Sequence, residues 1–126
     1  MTPYLLDLQL HRDARGALIS LESAGAAALP FMVQRVFFIF DVPVNQSRGE
    51  HPVICRELIV ALQGSCEVAT VQDGVARDFE LSTPTQALYI PEGVWVRLHR
   101  FSPGTLVAVA ADQPYSPRLP ATGFGV

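Results

Sequence analysis

The sequence contains no lysine: all nine of its basic residues are arginine. That excludes Schiff-base chemistry and any lysine nucleophile in this chain. Cysteine is scarce, at two residues in 126, and Cys55 and Cys66 are too far apart for a CxxC motif. Each sits in or beside an apolar run, so both read as buried, reduced thiols in a cytoplasmic protein. No apolar run approaches the roughly 20 residues that a membrane helix needs. The start, MTPYLLDLQLHRDARG, lacks the basic n-region and apolar stretch of a signal peptide. Positive charge is also in short supply. With a formal net charge of −3 and a pI near 5.5, neither a nucleic-acid partner nor a membrane-surface role is expected. Arginine does suit planar, bidentate recognition of phosphate or carboxylate, so a small anionic ligand fits this composition.

About half of the residues are apolar, enough for one ordinary domain to bury a core without disulfide or metal staples. Short apolar runs alternate with turn signals along the whole chain, which is an all-β rhythm. Strands are expected at Tyr4–Leu10, Ala17–Glu22, Gln34–Val42, Glu57–Leu62, Cys66–Val71, Val75–Leu81, Ala87–Ile90, Val94–Phe101 and Thr105–Ala111. Gln34–Val42 is rich in β-branched and aromatic residues and reads as a central strand. Arg12–Gly16 and Gln72-Asp73-Gly74 read as hairpin turns. Ser23–Leu29 and Pro43–Gly49 read as loops, and the Pro-rich tail from about Asp112 cannot be regular. About ten strands with no repeat, linker or second domain point to a single domain over residues 1–126, closed as a barrel or jelly roll.

Two constellations carry possible chemistry. The first is Gly49-x-His51-x-Val53-x3-Glu57-x6-Gly64, and the second is Pro91-Glu92-Gly93-Val94-Trp95-Val96. Both resemble the metal-binding segments of cupins, which place two histidines two apart on one strand, so that both enter the barrel. Here Val53 and Val96 stand at two of the four ligand positions. A catalytic metal normally takes three protein ligands and valine donates none, so no metal is expected.

Further segments sharpen the resemblance. Arg12–Leu18, Arg35-Val36-Phe37-Phe38-Ile39-Phe40-Asp41, Arg48-Gly49-Glu50-His51, Leu62-Gln63-Gly64-Ser65-Cys66 and Gly93–Gly104 look like the dTDP-4-oxo-6-deoxyhexose 3,4-ketoisomerases. The resemblance implies a cupin-type jelly-roll β-barrel without metal or cofactor. It also implies a homodimer that exchanges N-terminal strands, and a dTDP-sugar bound in the barrel. His51 matches the first histidine of that family's Arg-Gly-x-His-x-His motif. Val53 stands at the second, and Phe37 and Phe38 replace two tyrosines.

Moving a ketone from C4 to C3 requires removal of the C3 proton, an enediolate, and delivery of a proton to C4. A histidine near neutral pKa suits the first step. With Val53 in place of a second histidine, another acid must be His99, Glu57, Tyr89 or water. The site expected from this reading is His51 as base, with Arg35, Arg48, Glu57, Trp95, Arg97 and His99 contacting substrate. Each has a plainer alternative: Glu57 and the arginines as structural ion pairs, Arg48 as a loop closure, Trp95 as core, His99 as surface. Alternation puts Trp95, Arg97 and His99 on one strand face and the apolar Val94, Val96 and Leu98 on the other, inner one. Two other functions fit the same residues: a non-catalytic ligand-binding cupin, or a cupin repurposed for a more apolar molecule, because Val and Phe replace His and Tyr.

Overall fold

A computed structural model describes residues 1–25 and 29–115. Among them there is no helix. Eleven strands run β1 (Tyr4–Asp7), β2 (Leu10–Asp13), β3 (Gly16–Ile19), β4 (Arg35–Phe40), β5 (Arg48–Pro52), β6 (Glu57–Gln63), β7 (Cys66–Gln72), β8 (Val75–Leu81), β9 (Gln86–Ile90), β10 (Trp95–His99) and β11 (Leu106–Ala111). A five-stranded sheet has the order β1-β9-β6-β11-β4, and a four-stranded sheet the order β5-β10-β7-β8. The hairpin β2-β3 forms a separate two-stranded sheet. Nearly all of the expected strands are present, and all the ladders are antiparallel.

Alternation along each strand builds two cores. Between the sheets lie Ile39, Ile59, Ala61, Val68, Leu88, Ile90, Val96, Leu98, Val107 and Val109, all buried. Leu58, Val60, Ala87, Tyr89 and Ala110 point the other way. The N-terminal strand and Leu29–Val33 cover that outer face with Tyr4, Leu6, Phe31 and Val33. β6 is therefore apolar on both faces, which is why it reads as a continuous apolar run.

Three expectations are corrected. The run Tyr4–Leu10 is broken at Leu8, whose N–H donates to the Thr85 carbonyl at 2.7 Å, and Leu10 opens a separate hairpin. The aromatic strand β4 is an edge strand, not a central one. Its outward side chains, Val36, Phe38 and Phe40, are exposed, so a strand apolar on both faces need not be covered on both. Arg48 and Gly49 belong to strand β5, not to the loop before it. Gly49 and Glu50 take positive φ angles of 88° and 69°, and the register skips Glu50 between the pairs Val96–His51 and Arg97–Gly49. This bulge kinks the strand just before His51. The part of the Ala/Gly-rich segment at 26–28 and the tail beyond 115 lie outside the described residues.

Two turns lock the sheets together. Ser65 N–H donates to Ser102 Oγ at 3.0 Å, and Thr105 Oγ1 lies 2.8 Å from Ser102 Oγ and donates to the Ser65 carbonyl at 3.1 Å. Gly64, at φ 74°, leaves no room for a side chain: a Cβ there would lie 2.9 Å from Thr105 Cα and nearer still to its hydroxyl. Gly64→Ala is expected to destabilise the fold by roughly 2–4 kcal/mol, combining left-handed strain with overpacking. Urea unfolding of the two proteins measures this.

Candidate active site

His51 enters the space between the sheets. Its register partner on β10 is Val96, directly paired residues share a face, and Val96 belongs to the inner core. The ring is only 7% exposed. Its Nδ1 lies 2.8 Å from the Pro52 carbonyl oxygen. A carbonyl can only accept, so Nδ1 carries the hydrogen and Nε2 carries the lone pair of the neutral ring. The backbone thus sets the tautomer of the ring.

The five-stranded sheet supplies the facing groups. Glu57 opposes Ile90 on one side and Ala111 on the other, and Ala111 opposes Arg35. Glu57 and Arg35 therefore lie in one row of the inner face, two strands apart. Glu57 is 2% exposed, and its Oε1 has no hydrogen-bond partner; nor have Nε and Nη1 of Arg35. The Arg35 guanidinium lies 5.0 Å from the centroid of the Phe37 ring, a cation–π arrangement. Buried polar atoms without partners cost about 1–3 kcal/mol each, so their clustering on one inner wall marks a place where a polar ligand fits.

Burial pushes the Glu57 carboxyl up to about 8, against the opposing pull of Arg35 and with a further push from Asp112. It is therefore mainly a neutral acid at pH 7. Burial likewise raises the Cys55 thiol to about 11 and Cys66 to about 12, so these free cysteines are poor nucleophiles.

Three of the remaining expected site residues face elsewhere. The buried Val94, Val96 and Leu98 alternate with Trp95, Arg97 and His99 of β10, so these last three face away from the inter-sheet space. Arg97 instead sits 3.5 Å from Glu50, both half-exposed. Arg48 opposes the inward Leu98 and is exposed at the start of β5. Of the two phenylalanines at family tyrosine positions, Phe37 packs against the inner core and Phe38 is 56% exposed on the opposite face. The inner face also holds two residues missed in the sequence. Thr70 pairs with Val96 in the row of His51, and its hydroxyl donates to the Arg77 carbonyl at 2.8 Å; Arg77 is half-buried beside it. The polar Thr70 interrupting the inward series Cys66, Val68, Thr70 was the available signal. No group of three or more His, Cys, Asp or Glu suited to a metal occurs among the described residues. Val53 and Val96 are both core residues.

Two antiparallel sheets enclosing an inward histidine define a cupin-type barrel of the sugar-nucleotide isomerase kind. A family model described as FdtA, WxcM-like, C-terminal, matches residues 1–118, and the chain belongs to that family. It is 32% identical over 104 residues to a TDP-4-oxo-6-deoxy-alpha-D-glucose-3,4-oxoisomerase from Aneurinibacillus thermoaerophilus, covering 82% of this chain and 73% of that one. The TDP-quinovose 3,4-ketoisomerase WlaRB from Campylobacter jejuni superposes with a TM-score of 0.84 at 30% identity, over 92% of this chain and 88% of its own. The 3,4-ketoisomerase QdtA from Thermoanaerobacterium thermosaccharolyticum, in complex with TDP, gives 0.84 at 27% identity, over 91% and 83%.

The buried carboxyl has a consequence for stability. The native state holds the Glu57 proton more tightly than the unfolded chain, whose carboxyl titrates near 4.5. The stability of the protonated carboxyl is fully present below about 4.5 and is lost as pH rises towards about 8. Glu57→Gln, neutral throughout, is expected to unfold at a higher temperature than the parent at pH 8 and to lose that advantage near pH 4.5. Thermal scans across this range check the sign.

Proposed function

We propose that this protein is an isomerase that shifts the ketone of a nucleotide-linked 4-keto-6-deoxyhexose between C4 and C3, with His51 as the base. The observation that carries the reading is the buried imidazole on the inner wall, with its Nδ1–H held by the Pro52 carbonyl and Nε2 left as the basic nitrogen. The family's members described above act on TDP-sugars of this class. His51 takes the C3 proton, and the electron pair passes into an enediolate shared by C3, C4 and their oxygens.

On the inner face, Arg35 and Arg77 are the guanidinium groups available to a phosphate or to the enediolate oxygens. Arg48, opposite the inward Leu98, adds a third guanidinium at the exposed end of β5, whereas Trp95, Arg97 and His99 turn away from this space in the single chain, and the reading gives them no contact with the reacting carbons. The protein acts without metal or cofactor, since aliphatic side chains occupy two of the four ligand positions of metal-binding relatives of the fold, and it works in the cytoplasm.

The enzyme is proposed to be a homodimer. Among the described residues the β2-β3 hairpin makes no ladder with another strand, and it exposes Leu10 and Leu18. A largely apolar hollow of about 410 Å³ lies between this hairpin and the outer face of the large sheet, lined by Leu8, Ile19, Leu62, Pro84 and Ala108 among others. Beside it stand the exposed Val36, Phe38 and Phe40. So much adjacent apolar surface fits an interface between two copies.

A second reading is favoured by the aliphatic inner wall around His51, with Val53, Val68, Val96 and Val107 all buried there. That wall suits a more apolar ligand, bound with or without turnover.

Calorimetry separates the two readings. dTDP and dTDP-4-keto-6-deoxyhexoses are expected to bind with submillimolar Kd, and absence of heat at millimolar ligand refutes the nucleotide reading. His51→Asn is expected to lower C3 proton exchange by about 10²–10⁴-fold while dTDP affinity stays within about twofold; unchanged exchange removes His51 from the chemistry. In sedimentation, the parent is expected to run as a dimer and the double variant Phe38→Glu, Phe40→Glu as a monomer. A monomeric parent at micromolar concentration rules the interface out.

A further inference from the structure

The isomerisation proposed above moves two hydrogens in four proton transfers, one from C3 to C4 and one from O3 to O4, and one imidazole cannot carry out all four alone. His51 can take the C3 proton and return it to C4, but the oxygen-bound protons need a second acid–base group. Val53, at the place of the family's second histidine, is a buried aliphatic residue. Water apart, His99, Tyr89 and Glu57 are the other candidates by chemistry, and the fold decides among them. His99 alternates with the inward Leu98 and faces out. Tyr89 alternates with the inward Leu88 and Ile90 and packs in the outer cluster, its ring 5.0 Å from that of Tyr4. Thr70 commits its hydroxyl hydrogen to the Arg77 carbonyl, and an arginine side chain does not release a proton in a protein.

Glu57 remains. It is nine-tenths buried and more, it faces the same inter-sheet space as His51, and Oε1 has no partner. Only residues 53–56 separate the end of β5 from the start of β6, so both groups lie at one end of the barrel. Resting on the ketoisomerase reading, we infer that Glu57 is the second catalytic group and shuttles the oxygen-bound protons while His51 shuttles the carbon-bound one.

The steps balance. As the C3–H bond breaks and its proton passes to His51 Nε2, the C3 electron pair forms the C3=C4 bond and the carboxylic acid of Glu57 protonates O4. The product of this step is a neutral enediol. The Glu57 carboxylate then takes the O3 proton as the C3=O bond forms, and the His51 imidazolium protonates C4. Both catalytic groups end as they began, with no oxidant and no metal. The carboxyl must start protonated, and its burial among apolar side chains favours that form. The charged and titratable groups around it are Arg35 on β4, Asp112 after β11, Cys55 in the connecting segment and His51 across the gap. Arg35 favours the carboxylate, while burial and Asp112 oppose it. Asp112 is itself neutralised by Arg56, at 2.7 Å.

The test compares kcat with C3 exchange in deuterated water. In Glu57→Gln, kcat for isomerisation is expected to fall at least 10²-fold, while C3 exchange falls less and dTDP affinity is kept. The ratio of exchange to isomerisation therefore rises, which a merely structural role does not produce. The parent's kcat is expected to fall as pH rises through about 8, and that alkaline limb is expected to vanish in Glu57→Gln. Parental kcat in the variant, or persistence of the limb, overturns the inference. So does a flat parental profile across this range, which needs no variant to fold. Absence of any C3 exchange in the parent overturns the ketoisomerase reading as well, whereas exchange and turnover that ignore Glu57 overturn this inference alone.

Discussion

A carboxyl group held between two apolar sheets, with one guanidinium for company, sets the character of the barrel. Glu57 occupies an inner position of the most buried strand, where neighbours at the same face are Ile59, Ala61, Ile90 and Ala111. Such a group is expensive to bury charged and still costs something to bury neutral without a partner. The surrounding structure supports it from both sides: the outer core of Tyr4, Phe31, Leu58 and Tyr89 holds the sheet, and the Arg56–Asp112 pair fastens the connecting segment to the end of β11, backbone and side chain together. A polar defect tolerated in so continuous an apolar wall is the usual sign that a position serves the ligand more than the fold.

Period-two alternation explains how the site is chosen from many candidates. The sequence offers nine arginines and three histidines, but strand direction admits few of them to the inter-sheet space. The β10 alternation shows how a plain sequence rule already contains the answer: Val94, Val96 and Leu98 face in, so Trp95, Arg97 and His99 face out. The bulge at Gly49 and Glu50 shifts the register so that His51 and Arg48 both oppose inward residues, Val96 and Leu98.

Much of the fold was legible because local and global signals agree. Asp73 and Gly74, with φ of 51° and 76°, make the two-residue turn that suits a twisted hairpin, and β8 has the bounds its alternation implies. β4 was misread for a physical reason. Sequence reports that both faces of a strand are apolar, but not whether the second face meets this chain or another surface. Phe38 and Phe40 look like core until the sheet order puts β4 at an edge and leaves both side chains exposed. The positive φ at Glu50 had no sequence signal, since it is imposed by pairing with β10. Tyr89 was equally opaque, because its outward turn depends on Leu29–Val33 folding back to cover it.

The aliphatic replacements and the buried carboxyl are one problem seen from two sides. A histidine at position 53 or 96 would bring a polar, titratable ring into the same space. Its positive form would stabilise the Glu57 carboxylate and draw the carboxyl back towards its ordinary range. With valine at both places the wall is drier, desolvation dominates, and the carboxyl keeps its proton at neutral pH. The loss of a second imidazole thus creates the condition under which a glutamic acid can deliver a proton. A drier wall also strengthens each electrostatic contact that the Arg35 guanidinium makes. Valine at both positions and a neutral carboxyl at position 57 are therefore mutually consistent: an aliphatic wall favours the uncharged form of the one acid buried in it.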